Sequence, residues 1–262
     1  DGQQQIMLTA IVNALILLPY IFLFSPAGFL SDKFPKHKVM LYCALVEVIT
    51  VTLVIVCYYR GWFWSAFTLT LLMAMQSAIY SPAKYGYIRE LVGDEWLAQA
   101  NGVVQAATIV AILGGTLVFS ALFEWMLGDL ELIATGQILQ VIYPLGFLIL
   151  LLALVEFVLA FLLPEKRPVN DDKRFALAAY FGGRYLQDNI RAITRNRLIW
   201  LAIVGLLAFW ATSQVVLAIF PAFAKAVLGE TNTFVIQGIL ACTAIGIMAG
   251  SLFAGRVSKN AL

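Results

Sequence analysis

The 262-residue chain is 62% hydrophobic and only 12% charged, against about 45–50% apolar and about 25% charged for soluble domains, so its charge could not cover a soluble surface. Its 17 basic and 15 acidic residues leave a net charge of +2, too balanced for a surface that tracks nucleic-acid phosphates. Cys43, Cys57 and Cys242 sit inside apolar runs with neither CxxC spacing nor a nearby histidine, which reads as small core residues rather than a disulfide or metal site. No cofactor is implied.

Seven apolar segments follow in chain order, at roughly 6–29, 39–59, 62–81, 101–127, 138–163, 198–223 and 233–255, each long enough to cross about 30 Å of hydrocarbon. Lipid offers the backbone no partners and no alternating barrel pattern is visible, so all seven are expected to be helices. Tyr58, Tyr59, Trp62, Trp64, Trp125, Tyr143 and Trp200 fall at the segment ends, as interfacial anchors do.

Fifteen of the 17 basic residues lie after the first, third, fifth and seventh segments, leaving only Arg60 and Lys225 on the other loops. By the positive-inside rule those four loops are cytoplasmic and residue 1 is outside. The chain opens at Asp1 without a basic leader and ends at Leu262 directly after a span, so both ends read as cuts in a longer protein. Between Pro164 and Arg197 lies one sizeable hydrophilic stretch. Its second part places Leu186, Ile190 and Ile193 at i, i+4 and i+7 beside Arg184, Arg191 and Arg195, which suits either an amphipathic helix at the headgroup level or a solvated connector.

The loop after the first segment reads Gly28-Phe29-Leu30-Ser31-Asp32-Lys33-Phe34-Pro35-Lys36-His37-Lys38. It resembles the loop signature of the major facilitator superfamily, a glycine, an acid four residues later and a closing basic cluster, with Pro35 where a second glycine is usual. Proline fixes φ near −65° and cannot adopt the left-handed turn that glycine allows. A weaker copy without the acid stands at Gly250–Lys259, as expected of a transporter built from two halves. The resemblance implies an all-α membrane protein whose seven transmembrane helices correspond to helices 2–8 of a twelve-helix fold. Residues 1–164 would then belong to the N-terminal half, with helix 1 missing, 165–197 to a cytoplasmic linker and 198–262 to the start of the C-terminal half.

More distinctive are Ser81-Pro82-Ala83-Lys84-Tyr85-Gly86 after the third segment, with Glu90-Leu91 beyond it, and Ala100-Asn101-Gly102. These blocks resemble the lysophospholipid transporter family of bacterial inner membranes, in which they flank the cytoplasmic loop between helices four and five. The resemblance implies transport of lysophosphatidylethanolamine-like lipids by alternating access, with an acyltransferase acting on the transported lipid. A lysine ammonium can meet a phosphate while its stem stays in the apolar layer, so Lys84 is read either as a headgroup partner or as a snorkelling topology residue. Tyr85 beside it, and Gln76, Asn101 and Gln105 around the two blocks, complete the candidate substrate site. Other polar residues in the spans, such as Asn13, Thr108 and Gln237, are accounted for as readily by interhelical hydrogen bonds.

The motif residues Gly28, Asp32, Lys33, Lys36 and Lys38 are expected to gate the cytoplasmic side. In the superfamily the basic residues of this motif pair with an acid after helix four, and Glu90 fills that place here. Glu47 and Glu156 are the only acids deep within the spans, Glu124 falling at the end of the fourth, and at that depth a carboxyl must be protonated, paired or facing water. Proton coupling and structural hydrogen bonding are the two readings. A retinal protein would need a lysine within the last span, and a membrane enzyme a histidine or aspartate pair. The spans have neither, His37 being the only histidine. Within the transporter class the alternative is an exporter of drugs or small metabolites, because many such proteins share the first loop motif.

Overall fold

The computed structural model describes residue 11 and residues 14–127, 135–165, 180–230 and 233–258. These residues form helices α1 (Ala14–Phe22), α2 (Phe24–Lys33), α3 (Lys36–Arg60), α4 (Phe63–Val92), α5 (Leu97–Leu127), α6 (Thr135–Ile142), α7 (Leu145–Phe161), α8 (Arg184–Arg195), α9 (Arg197–Val227) and α10 (Thr233–Ser258), with no strand among them. Five are long and apolar enough to cross a bilayer, and seven spans result if the pairs α1–α2 and α6–α7 each count as one.

Both broken pairs have a local cause. Pro26 lacks the N–H that would bond the Phe22 carbonyl, and α1 and α2 meet at 50° around Leu23; Pro144 does the same to Gln140, and α6 and α7 meet at 55°. A third proline behaves differently. The sequence places Pro82 just beyond a span ending near residue 81, yet α4 runs through it to Val92. Ala83 and Tyr87, one turn apart, are 0% and 2% exposed, and burying this face outweighs the lost backbone bond. The Lys84–Gly86 block is therefore helical rather than part of a loop, and Asn101 likewise lies inside α5.

The chain divides into two compact units. One contains α8 and α9, joined through the single extended residue Asn196, whose side chain accepts hydrogen bonds from the Leu198 and Ile199 amides. The other contains α1–α7 and α10; within it α3 packs chiefly on α4 and α7, and α10 lies along α5. Small residues make the close approaches: Ala44, Ala74, Ala78, Ala83 and Ala153 are buried, as in helix packing within lipid. Gly146 admits Ile55, whose Cγ1 lies 2.5 Å from where a Cβ would stand. Hydroxyls inside the helices bond back to their own backbone, as Thr50 does to the Val46 carbonyl at 2.7 Å. Large apolar side chains such as Leu151, Leu152 and Leu159 point outward, which suits a lipid surround.

Candidate functional site

At one end of the larger unit, Val39, Met40 and Cys43 of α3 pack with Ala83 and Tyr87 of α4, covered by Ile79, Tyr80 and Leu163. Polar contacts close over this cluster. Lys36, in the first turn of α3, donates to Glu90 in the last turn of α4; their side chains are 11% and 25% exposed. Gly86 makes that reach possible, because a Cβ there would stand 2.6 Å from Lys36 Cε. The missing side chain leaves a trough for the lysine stem, one turn before its partner carboxylate.

The same end receives the chain leaving α7. The Tyr87 hydroxyl donates to the Pro164 carbonyl at 2.8 Å, while the Glu165 carboxylate lies 3.5 Å from Lys38 Nζ and 3.9 Å from His37 Nε2. Gly86 belongs to the distinctive sequence block, but its place beneath the Lys36 stem was not read from it, and Tyr87 and Glu165 were not assigned a role there. A glycine at i−4 from Glu90 was the available signal for the first. Asp94 is paired with Arg89 at 2.6 Å just past α4, and the guanidinium holds its carboxyl below the usual range.

The remaining motif residues are spread around this end. Gly28 and Asp32 lie on α2, and Lys33 Nζ stands 5.6 Å from the ring centres of both Phe29 and Phe34. Lys84 Nζ lies 5.0 Å from the Tyr85 ring centre, with Tyr85 exposed. Asn101 Oδ1 is buried without a hydrogen-bond partner among the described residues. Gln105 lies one turn further along α5, half-buried. Gln76 sits apart from this group: it is buried and its amide donates to the Cys43 carbonyl at 3.1 Å, tying α4 to α3.

Deeper in the unit, Gln76 of α4 stands beside Glu47 of α3, and Tyr80 of α4 beside Glu156 of α7. Each of the two acids that the sequence places separately thus has a neutral polar partner on α4. No group of three or more metal-ligating side chains is present among the described residues.

Comparison with known proteins gives a consistent result. The family model described as Major Facilitator Superfamily matches residues 2–261. The chain is 26% identical over 249 residues to a lysophospholipid transporter of Photorhabdus laumondii, covering 94% of this chain and 56% of that protein. A lysophospholipid transporter of Enterobacter sp. is 26% identical over 260 residues, 99% of this chain and 57% of its own length. One from Yersinia enterocolitica is 33% identical over 129 residues, 49% of this chain and 29% of that protein. The chain thus spans a little over half the length of the relatives that match it throughout. No solved structure matches it. With the helical spans, the motif at the α2–α3 junction and a family match along almost the whole chain, this protein belongs to the major facilitator superfamily of multi-pass membrane proteins.

Proposed function

We propose that this protein is a secondary transporter that moves lysophosphatidylethanolamine-like lysophospholipids across a bacterial inner membrane by alternating access. The observation that carries this reading is the collinear similarity, along nearly the entire chain, to relatives named as lysophospholipid transporters. In this reading the seven spans take places two to eight of twelve. Residues 1–164 and 198–262 contribute to the two halves, 165–197 link them on the cytoplasmic side, and residue 1 faces the periplasm.

Lys84 meets the lipid phosphate from the membrane edge, with Tyr85 beside it. Asn101 brings an acceptor oxygen with unused capacity and Gln105 a further polar group on the same helix. Gln76 supports this site through its bond to α3. Gly28, Asp32, Lys33, Lys36, Lys38 and Glu90 form the cytoplasmic gate, and Glu47 with Glu156 the place where a proton could couple to the cycle. The delivered lysolipid would be the substrate of an acyltransferase that restores its second chain.

The test is uptake in spheroplasts lacking endogenous lysolipid transport, comparing labelled lysophosphatidylethanolamine with small metabolites and drugs. Saturable lysolipid uptake is expected. Transport of the small solutes without lysolipid movement would overturn the assignment.

A further inference from the structure

The opposite end of α3 carries a second site. The helix runs 25 residues from Lys36 to Arg60, about 36 Å at 1.5 Å per residue, so Arg60 stands at the other membrane boundary. There α3 closes through backbone bonds, Trp62 N–H to the Cys57 carbonyl at 2.8 Å and Gly61 N–H to the Tyr58 carbonyl at 3.0 Å, with Gly61 left-handed at φ 68°. These bonds cap the last carbonyls and leave the Arg60 guanidinium free of that task. Gly61 also crosses the start of α6 backbone to backbone: a Cβ on it would stand 3.1 Å from the Gly136 carbonyl oxygen, and one on Gly136 3.2 Å from that of Gly61. The crossing sets the end of α3 against α6 and leaves an open depression of about 470 Å³, lined by Tyr59, Arg60, Trp62, Gln140 and Tyr143.

The chemistry of that lining is one-sided. It offers a guanidinium, two phenol hydroxyls, an indole N–H and a carboxamide, and no carboxylate. Arg60 forms no ion pair among the described residues. Tyr59 and Tyr143 meet edge to face, centroids 5.4 Å apart, which fixes the aromatic wall. An anion with several acceptor oxygens satisfies this donor set, and a guanidinium matches a phosphate with two parallel bonds. The aromatic faces suit an ammonium.

We propose that this depression is a headgroup cradle for a phospholipid in the leaflet opposite the Lys36–Glu90 end. Its phosphate would sit on Arg60 and its ammonium against Tyr59, Trp62 and Tyr143. The cradle rests on the membrane-spanning reading of α3 but not on lysolipid being the transported substrate.

The test uses the protein in nanodiscs with two photoactivatable probes, a lysophosphatidylethanolamine and a diacyl phosphatidylethanolamine, each with a diazirine near the head of an acyl chain. Labelling is expected in the peptides around residues 59–64 and 140–147. It should fall several-fold in Arg60→Gln and recover in part in Arg60→Lys. Labelling by both probes makes the cradle a general phospholipid site, and labelling by the lysolipid alone makes it a substrate site. Competition by inorganic phosphate shows that the phosphate itself is recognised. Labelling confined to other peptides, or unchanged in Arg60→Gln, overturns the proposal. Loss of lysolipid uptake in the transport assay would leave diacyl labelling intact, so the two readings fail separately.

Discussion

Lys36 reaches Glu90 by lying across the bare Cα of Gly86, so one ion pair joins the first turn of α3 to the last turn of α4. An exposed pair contributes about 0–1 kcal/mol and removal of one partner from a buried pair costs about 3–5 kcal/mol. This partly buried contact falls between those limits. A shift of about 1.4 kcal/mol is tenfold in a two-state equilibrium, enough to bias a gate.

Glu90→Gln should therefore impair transport with little loss of substrate binding and raise cysteine accessibility of the cytoplasmic cavity. The charge swap Lys36→Glu with Glu90→Lys should recover part of the transport. Wild-type accessibility in the failing single mutant would remove the gating role.

Gly86→Ala tests the trough itself. The new methyl meets the flexible stem of Lys36 at 2.6 Å, so the lysine should swing aside while the fold survives. Accessibility should then rise as in Glu90→Gln, and adding Gly86→Ala to Glu90→Gln should have little further effect, because both act on one contact. Fully additive effects would show that Gly86 acts elsewhere.

Lys84→Ala should reduce lysolipid transport about 10–100-fold at normal expression, the range expected when a charge-assisted bond of about 1.5–3 kcal/mol is lost. Lys84→Arg should retain part of the activity. Unchanged uptake in Lys84→Ala would leave the side chain as a topology lysine over Tyr85.

Sidedness can be read from single cysteines after Cys43, Cys57 and Cys242 are replaced. Asp94→Cys and Glu165→Cys should react with a membrane-impermeant maleimide only from the cytoplasm, and Trp125→Cys only from outside, since all three positions are exposed, residue 94 precedes α5 and residue 125 lies in its last turn. Labelling of positions 94 and 125 from one side would refute the proposed arrangement of spans.

Gly146→Leu should destabilise the α3–α7 contact by about 1–3 kcal/mol, the usual cost of overpacking, because its Cβ would lie 2.5 Å from Ile55 Cγ1. Thermal unfolding in detergent measures this. Ile55→Ala in the same chain should restore part of the loss, and no restoration would mean that the clash is relieved another way.

The apolar runs by themselves determined that the chain is helical and crosses a membrane, because a backbone in hydrocarbon must bond to itself and only local helix does so within one segment. The motif at Gly28–Lys38 and the block at Ser81–Gly86 were legible for the same reason: they are contiguous. Prolines were legible less evenly. Pro26 and Pro144 stand at breaks in their helices, whereas α4 runs through Pro82 and α9 through Pro221; beside Pro82 the buried Ala83 and Tyr87 hold α4 against α3, a contact that no local rule contains. Only the tertiary structure decided which side chains meet. Lys36 and Glu90 are 54 residues apart and Tyr87 and Pro164 are 77 apart. It also brought Glu165 to Lys38, turned Gln76 toward the Cys43 carbonyl and set Arg60 among the aromatics of the depression at the far end of α3. Such pairings depend on how helices rotate and approach, and small residues such as Gly86, Gly136 and Gly146 set that approach by what they leave out.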